Sequence, residues 1–399
     1  MMISKDLLIV EKNSKYLAYN YEWNDVLLIS KQLKDDIEDE SISNILKRLS
    51  NEEVTTLINH GLIMKDKDQY EKKKYKYTLE SMNTEVHIDC VYFHLTQRCN
   101  LHCTYCYNKA NLNKPDLLST DEVKDIITQL RELGVQKIVY TGGEVLLRKD
   151  IEEICEYTHH LGIKCDVLSN GMLLNKRMRL LPFVETFIIS LDTLIPEHNL
   201  RLGLNTNRLI ANLQEVPQEY KQKFSIRSVS SIPHHEDWKD VKGFVETQLG
   251  MSHIVVPFLP NCQEDMRYVP NLLSYPIKAD CNFGTTKCAA AYRIIAIDSN
   301  GDIYPCQCLI KPKYFIGNVK EPGWFQRLKD NVITTEFRKR DLNQIQGCRE
   351  CKLKYLCGGG CPAISDNLYG TINNSPTVVC ALQKRIAMRK LENLIDAYG

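Results

Sequence analysis

The spacing of hydrophobic and polar positions divides the chain near residue 80. Before that point, three short runs of strand-forming residues precede two segments with helical spacing. Ser50 and Glu53 have the spacing of a capping box at the start of the second helix. The strands are predicted at Asp6–Glu11, Lys15–Asn20 and Val26–Ile29, and the helices at Ser41–Leu49 and Asn51–Asn59.

From Val91 the pattern changes to apolar strands that alternate with amphipathic helices. Repeated strand–helix units predict an α/β fold with a parallel sheet. About six such units are too few for an eight-fold barrel, so we expect an open or partial one, with its chemistry at the C-terminal ends of the strands. The strands are predicted at Val91–Thr96, Lys137–Thr141, Lys164–Leu168, Thr186–Leu191, Ser225–Ser231 and His253–Phe258, and the helices at Asp121–Leu133, Asp150–Leu161, Thr206–Val216 and Trp238–Leu249.

Charge and hydropathy argue against nucleic acid and membranes as partners. The 51 Lys and Arg residues nearly balance the 50 Asp and Glu residues, so no global field indicates binding to nucleic acid or an anionic membrane. No apolar run is long enough to span a bilayer, and residues 1–10 lack the pattern of a signal peptide. We therefore expect a cytoplasmic protein with no membrane and no nucleic-acid partner.

The sixteen cysteines of the chain are unevenly distributed. Thiols stay reduced in the cytoplasm, so metal binding explains this number better than disulfides do. None precedes Cys90, a group of three lies between residues 99 and 106, and a denser population begins at Cys281. The distribution predicts three parts: residues 1–82, 83–275 and 276–399.

Cys99, Cys103 and Cys106 lie within eight residues, directly after the first strand of the alternating region. A closed structural zinc site takes four ligands, and a four-iron cluster takes one ligand per iron. Three thiols therefore suit a cluster with one open iron, where a small molecule can bind. A zinc site completed by His102 or a remote ligand, or a disulfide framework, are the alternatives from spacing alone.

The following strands end in small and polar residues. Gly142 and Gly143 permit close approach to the backbone, and the carboxylate of Glu144 can bind an amine. Ser169 ends the third strand, and Ser190 and Asp192 end the fourth, where they can hydrogen-bond a ribose or an amino-acid group. Each motif alone is typical of a turn, whereas on successive strand ends they predict one site.

The Cys-x3-Cys-x2-Cys loop, with Tyr105 before its last cysteine and Gly-Gly-Glu after the second strand, resembles the radical S-adenosylmethionine (SAM) superfamily. The resemblance implies that the three loop cysteines ligate three irons and that the amino and carboxylate groups of SAM chelate the fourth. Val145 departs from the family pattern, in which Pro is common, and is expected to alter a turn only. The implied SAM contacts are Tyr105, Gly142, Gly143, Glu144, Ser169, Ser190, Asp192 and Arg201.

The later cysteines reproduce the seven-cysteine pattern of the SPASM extension, which carries two auxiliary clusters. The resemblance implies three 4Fe–4S clusters in the whole chain. The eighth auxiliary ligand is Cys281, which lies shortly before Cys288, or Cys308 or a substrate thiol, and the spacing favours none of these over the others. Four zinc ligands in residues 348–361 are the competing interpretation. By resemblance, the first auxiliary cluster takes Cys288, Cys306 and Cys361, and the second takes Cys348, Cys351, Cys357 and Cys380.

SPASM relatives mostly modify peptides and proteins. Maturases of ribosomally made peptides often carry a winged-helix module that captures the leader of the substrate, and residues 1–82 resemble such a module. The resemblance implies an enzyme that crosslinks a precursor peptide, with a thioether favoured over a carbon–carbon bond. An electron donor such as flavodoxin or ferredoxin is expected as a further partner.

Two other functions remain open at this stage. Anaerobic sulfatase maturases oxidise a Cys or Ser to formylglycine, and an acidic base is expected after the cysteine that matches Cys306. Gln307 occupies that position here and argues against this activity. A non-catalytic iron–sulfur electron carrier or a zinc-binding protein is the alternative from another class, but neither requires the Gly-Gly-Glu site.

Overall fold

The computed structural model describes residues 1–75, 85–108, 115–232, 236–273, 275, 277, 287–375 and 377–398. Cys281 and the predicted domain boundary at residues 82 and 83 lie outside these ranges. The chain forms two compact units: a first unit, residues 1–84, 271–288 and 340–399, and a second unit, residues 85–270 and 289–339. The predicted three-part division stays a prediction.

The N-terminal part of the first unit contains a three-stranded antiparallel sheet and a two-stranded one. In the larger sheet β3 lies between β2 and β4, and β1 pairs with β5. The predicted capping box is present, because Ser50 Oγ accepts from the amide of Glu53 and Glu53 Oε2 accepts from that of Ser50. The elements are β1 (Met2–Ile3), β2 (Leu7–Lys12), β3 (Lys15–Asn20), β4 (Asp25–Ile29), α1 (Lys31–Glu38), α2 (Ile42–Arg48), α3 (Asn51–Asn59), β5 (Ile63–Met64) and α4 (Lys67–Lys72).

The second unit is built on one nine-stranded sheet, of which the first six strands in the chain are parallel neighbours in sequence order. This confirms the predicted parallel α/β sheet. The predicted helix Trp238–Leu249 is divided, with a π-helical turn over Val245–Leu249. The elements of this stretch are β6 (Cys90–Thr96), α5 (Thr120–Glu132), β7 (Lys137–Gly142), α6 (Ile151–His160), β8 (Lys164–Ser169), β9 (Thr186–Ser190), α7 (Thr206–Gln214), β10 (Phe224–Ser230), α8 (Trp238–Phe244) and β11 (Ser252–Pro257).

The remaining strands extend the sheet beyond β6. The strand β12 is parallel to β6, and β13 and β14 follow as antiparallel neighbours. In the described part of the chain β6 and β11 do not pair with each other, so the six-stranded unit stays open, as expected. The elements are β12 (Ile294–Ile297), β13 (Asp302–Tyr304), β14 (Gly317–Asn318), α9 (Trp324–Asp330) and α10 (Val332–Lys339).

Successive side chains of each strand point to opposite faces of the sheet, and one of these faces forms the hydrophobic core of the second unit. Val91, Phe93 and Leu95 of β6 are fully buried in the main hydrophobic cluster, together with alternate residues of the neighbouring strands. Cys155 and Cys165 lie in the same cluster, where they pack as small apolar residues.

The C-terminal part of the first unit is helical. Its elements are α11 (Lys354–Cys357), α12 (Pro362–Tyr369) and α13 (Thr377–Tyr398). The middle strand β3 is covered on both faces: Leu17 and Tyr19 pack with Leu391 of α13, whereas Ala18 packs with residues of the N-terminal helices. The N-terminal sheet is therefore part of one core with the C-terminal helix. None of the helices in the described ranges combines the length and the apolar composition needed to cross a membrane.

Candidate active site

The three-cysteine loop starts at the C-terminal end of β6 and is fixed by backbone hydrogen bonds. The amides of His102 and Thr104 donate to the carbonyls of Leu202 and Leu200, both at 2.9 Å. Within the loop, the Cys106 amide donates to the Cys103 carbonyl at 3.2 Å. The segment after β9 therefore holds the loop at the strand ends, where the sequence predicts the site.

The loop thiols are half-buried neighbours. Burial raises the pKa of the Cys99 thiol to about 11, and Glu144, Cys103 and Cys106 add to that rise. Burial also raises the pKa of Cys103, although the guanidinium of Arg201 opposes the effect. A metal that binds Cys99 and Cys103 therefore has to displace the protons of these two thiols.

The donor set fits an iron–sulfur cluster, because thiolates are the ligands that such clusters take. No three His, Cys, Asp or Glu side chains within the described ranges converge as ligands of a single metal ion. Convergence of that kind belongs to a mononuclear site, whereas each iron of a cluster takes its own thiolate.

The Gly-Gly-Glu turn after β7 lies directly against the start of the cysteine loop. A Cβ on Gly142 would lie 2.2 Å from the carbonyl oxygen of Thr96, and a Cβ on Gly143 would lie 2.0 Å from that of Arg98. The amides of Gly143 and Glu144 donate to these same carbonyls at 2.8 and 2.7 Å. The two glycines therefore permit close contact between two backbone segments, a packing role that the sequence analysis did not predict.

Glu144 is buried, with 1% of its surface exposed. Its carboxylate accepts from the amide of Asn170 at 2.8 Å, the hydroxyl of Ser169 at 2.8 Å and the amide of Leu146 at 3.0 Å. Burial raises the pKa of Glu144, and these three hydrogen bonds oppose that rise. Among the described residues no cation pairs with this carboxylate, so the site fits a ligand that carries an ammonium group.

Val145 follows this glutamate and is fully buried at the start of a short 3-10 helix, Val145–Leu147. The Glu144 side chain caps that helix through the Leu146 amide. Ser169 also accepts a hydrogen bond from the amide of Gly171 at 2.9 Å. The Ser169 hydroxyl thus orients Glu144, a role that the strand-end pattern did not indicate.

Asp192, Arg201 and Tyr105 form a second group beside the loop. Arg201 donates to the fully buried Asp192 carboxylate from Nε at 3.0 Å and from Nη2 at 3.3 Å. The phenol of Tyr105 donates to the same carboxylate, and its ring lies 5.4 Å from the guanidinium carbon of Arg201. Burial lowers the pKa of Arg201, but the Asp192 carboxylate more than reverses this, so the arginine stays charged.

Of the predicted SAM contacts, Ser190 is half-buried at the end of β9 and precedes this group. A further link, which was not predicted from the sequence, joins the two parts of the site. Asn170 Nδ2 donates to Asn100 Oδ1 at 2.8 Å, which joins the end of β8 to the cysteine loop. Asn100 directly follows Cys99, and this adjacency is the signal that would have identified it.

The four cysteines predicted for the second auxiliary cluster are neighbours in the first unit. Burial raises the pKa of Cys348, and Cys380 and Cys351 add to the rise. Burial raises the pKa of Cys357 to about 11, with contributions from Cys348 and Cys380. The Cys380 thiol lies 3.3 Å from the hydroxyl of Ser375.

The cysteines predicted for the first auxiliary cluster are divided between the units. Cys288 and Cys361 belong to the first unit and Cys306 to the second. Within the second unit, a hydrogen bond from Cys306 lowers the pKa of the Cys308 thiol. The assignment of these thiols to one cluster stays a prediction, and Cys281 lies outside the described residues.

Comparison with known proteins agrees with this arrangement. Residues 93–246 match the radical SAM superfamily, and residues 288–352 match SPASM, an iron–sulfur cluster-binding domain. The mycofactocin maturase MftC of Mycobacterium tuberculosis is 26% identical over 69% of this chain and 78% of its own length.

Two solved structures share the fold. SuiB of Streptococcus suis, bound to its precursor peptide SuiA, aligns with a TM-score of 0.56 at 19% identity over 95% of this chain and 99% of its own. The structure of anSMEcpe with bound AdoMet aligns with a TM-score of 0.59 at 19% identity over 77% of this chain and 99% of its own. The two domain matches, at residues 93–246 and 288–352, identify the chain as a radical SAM enzyme with a C-terminal SPASM domain, whose cofactors are iron–sulfur clusters and SAM.

Proposed function

We propose that this enzyme matures a ribosomally made precursor peptide by installing an intramolecular crosslink. A thioether from a Cys sulfur to carbon is favoured over a carbon–carbon bond. The observation that carries the proposal is the buried Glu144 carboxylate, which has no cation partner among the described residues and lies close enough to Cys99 to raise the pKa of its thiol. An electron carrier or a structural zinc protein has no use for such a carboxylate.

The residues would act as follows. Cys99, Cys103 and Cys106 would hold the cluster, and Glu144 would bind the SAM amine, with Gly142 and Gly143 shaping that turn. Tyr105, Ser169, Ser190, Asp192 and Arg201 would line the rest of the SAM site. When bound, the reduced cluster and SAM supply a 5′-deoxyadenosyl radical, which removes a hydrogen atom from the peptide.

The C-terminal cysteines would hold two auxiliary clusters, for three in total. Cys348, Cys351, Cys357 and Cys380 would form one set, and Cys288, Cys306 and Cys361 would belong to the other. The hydrogen bond between the Cys306 and Cys308 thiols supports Cys308 as a candidate for the open ligand position, beside Cys281. These clusters would accept the electron released when the crosslink forms, and flavodoxin or ferredoxin would supply electrons to the first cluster.

The N-terminal module would capture the leader of the precursor peptide. In the described part of the chain, β2 and β4 each pair only with β3, so the sheet retains two edges to which a strand can be added. Added strands bind through backbone hydrogen bonds, with side-chain pockets that give selectivity. SuiB is structurally similar over nearly the whole chain and has been solved with a precursor peptide.

Oxidation of a protein Cys or Ser to formylglycine is the second candidate, and the structural similarity to anSMEcpe supports it. Gln307 argues against it, because an amide cannot serve as the base expected after Cys306.

Two measurements test the proposal. Protein purified without oxygen is expected to contain about twelve irons per chain, because each of three clusters has four. The reduced protein should cleave SAM to 5′-deoxyadenosine, and Glu144→Gln should weaken SAM binding. About four irons with bound zinc would contradict the auxiliary clusters, and no cleavage by fully loaded protein would contradict the enzyme.

The product distinguishes the candidate reactions. Small Cys-containing peptides encoded near the gene are the substrates to test, with mass spectrometry as the readout. A thioether or carbon–carbon crosslink lowers the peptide mass by two hydrogens and retains sulfur, whereas conversion of Cys to formylglycine removes the sulfur. Resistance of the thiol to alkylation separates a thioether from a carbon–carbon bond.

A further inference from the structure

The inner face of the six-stranded parallel sheet carries polar side chains. Val91, Phe93 and Leu95 of β6 lie in the outer hydrophobic core, so Tyr92 and His94 occupy the opposite, inner face. On β10, Phe224 and Ile226 lie in the same core, which places Arg227 on the inner face.

Arg227 has no counter-ion among the described residues. Its Nε is buried without a hydrogen-bond partner there. Burial lowers the pKa of Arg227, Tyr92 opposes the effect, and the positive charge of Arg201 adds to it. Neither of these electrostatic neighbours is a carboxylate, so the cation lies in an environment that disfavours its charge.

Two carboxylates of the same sheet region already have cations of their own. Asp166 pairs with Lys137 at 2.8 Å, and Asp192 pairs with Arg201. Arg227 is therefore an additional positive charge on this inner face. A buried charge without a partner is costly, and a bound ligand of opposite charge removes that cost.

His94 provides a second, independent observation. The side chain is fully buried, and both ring nitrogens lack a hydrogen-bond partner within the described part of the chain. Burial lowers the pKa of His94 to about 4, so the ring is neutral near pH 7 and carries one N–H donor. Burial also raises the pKa of Tyr92, whose phenol therefore keeps its proton as a donor. The inner face thus offers one cation and two neutral donors.

We propose that Arg227, with Tyr92 and His94, binds a carboxylate of the substrate peptide and thereby selects the residue next to the one that reacts. The carboxylate is an Asp or Glu side chain or the C-terminus of the peptide. This inference rests on the proposed function, in which SAM would have its own site at Glu144 and Arg201, so that Arg227 would be available to the substrate.

The test uses SAM-loaded holoenzyme and short peptides of defined charge. Radiolabelled N-acetyl-Ala-Asp-Ala-amide is compared with its Asn counterpart by equilibrium dialysis, and N-acetyl-Ala-Ala-Ala with a free C-terminus is compared with its amide. The variants are Arg227→Gln, Arg227→Lys and the matched control Arg208→Gln, which removes an exposed arginine on α7. SAM affinity and iron content are measured for each variant.

The wild type is expected to bind at least one carboxylate peptide about tenfold more tightly than its amide counterpart. Arg227→Gln should abolish that preference and Arg227→Lys should retain part of it, with SAM affinity and iron content unchanged, and Arg208→Gln should behave as the wild type.

Equal binding within both peptide pairs by the wild type would overturn the proposal. A selective loss of SAM affinity in Arg227→Gln would also overturn it, because Arg227 would then bind the carboxylate of SAM. Cleavage of SAM without any peptide is measured separately, so failure of this inference is distinguishable from failure of the proposed function.

Discussion

The amide of Glu144 donates a hydrogen bond of 2.7 Å to the carbonyl of Arg98, the residue that precedes Cys99. The turn that would bind the SAM amine and the loop that would hold the cluster are thus joined through their backbones. A displacement of one segment has to displace the other, so the geometry of the two cofactor sites is coupled.

Replacement of Gly143 by Ala should damage the cysteine loop. The added Cβ would lie 2.0 Å from the Arg98 oxygen and 2.6 Å from its carbon, and backbone atoms cannot move aside as a flexible side chain can. We expect Gly143→Ala to lose one cluster, about four irons, and its SAM cleavage. Iron analysis and 5′-deoxyadenosine formation provide the measurements.

The control is Gly243→Ala on α8, where an added Cβ meets nothing within 4 Å. This variant should keep its full iron content, because alanine is also favoured over glycine inside a helix. Wild-type iron content in Gly143→Ala would show that the two segments separate without loss of the cluster, contrary to the prediction.

The pair formed by Asp192 and Arg201 should be important for stability. The side chain of Asp192 is fully buried and that of Arg201 is 12% exposed, so Asp192→Asn leaves a buried cation without its counter-ion. We expect the free energy of unfolding to fall by about 3–5 kcal/mol and SAM affinity to fall with it. Denaturant unfolding and equilibrium binding of SAM measure the two effects.

Glu236→Gln serves as the comparison, because the Lys239–Glu236 pair is more than half exposed on both sides. Loss of this exposed ion pair should change the free energy of unfolding by about 1 kcal/mol or less. Similar effects of the two substitutions would indicate that the Asp192 pair is as weak as a surface ion pair.

The strands, and the position of the cysteine loop and the Gly-Gly-Glu turn at their C-terminal ends, were predictable because both depend on local sequence. Apolar runs predicted the six strands β6–β11 to within one residue at each end. The helix α1, Lys31–Glu38, was missed because its sequence is mostly charged or polar and only Leu33 and Ile37 supply its apolar face.

Contacts between distant segments were not predictable. The clash at Gly143 depends on the register of β6 and β7, which shifts between His94 and Thr96, and no sequence pattern marks that irregularity. The ion pair between Asp192 and Arg201 likewise depends on the path of the loop between them. Arg227 was not recognised because its significance comes from the lack of a counter-ion in the folded chain.

Acid should destabilise the protein through His94. Burial lowers the pKa of this histidine from 6.5 to about 4. Between these values the unfolded chain binds a proton that the folded protein does not. The contribution of His94 to the free energy of unfolding is therefore fully present above pH 6.5 and is lost as the pH falls to 4. The loss over this window is about 3 kcal/mol.

Anaerobic denaturant unfolding at a series of pH values tests the predicted loss of stability through His94. The difference in the free energy of unfolding between wild type and His94→Gln separates the contribution of His94 from the acid sensitivity of the clusters. The variant should lose this part of the pH dependence, whereas substitution of the exposed His160 by Gln should retain it. Parallel pH curves for wild type and His94→Gln would refute the assignment.

Glu22 and Lys354 should stabilise the first unit as a pair. Lys354 Nζ donates to Glu22 Oε1 at 2.8 Å and to the Arg349 carbonyl at 3.2 Å, and its side chain is only 3% exposed. Glu22 lies between β3 and β4, and Lys354 begins α11, which contains Cys357. The pair therefore fixes the N-terminal sheet to the cysteine-bearing helix.

Glu22→Gln leaves the buried ammonium of Lys354 without a counter-ion, so the free energy of unfolding should fall by about 3–5 kcal/mol. Lys354→Met in the same chain should recover much of the loss, because no buried charge then remains. A double-mutant cycle measures the coupling, and Glu392→Gln, which removes a partly exposed i,i+3 pair with Arg389, is the control. Additive effects of the two substitutions would mean that the contact contributes nothing to the attachment of the N-terminal sheet.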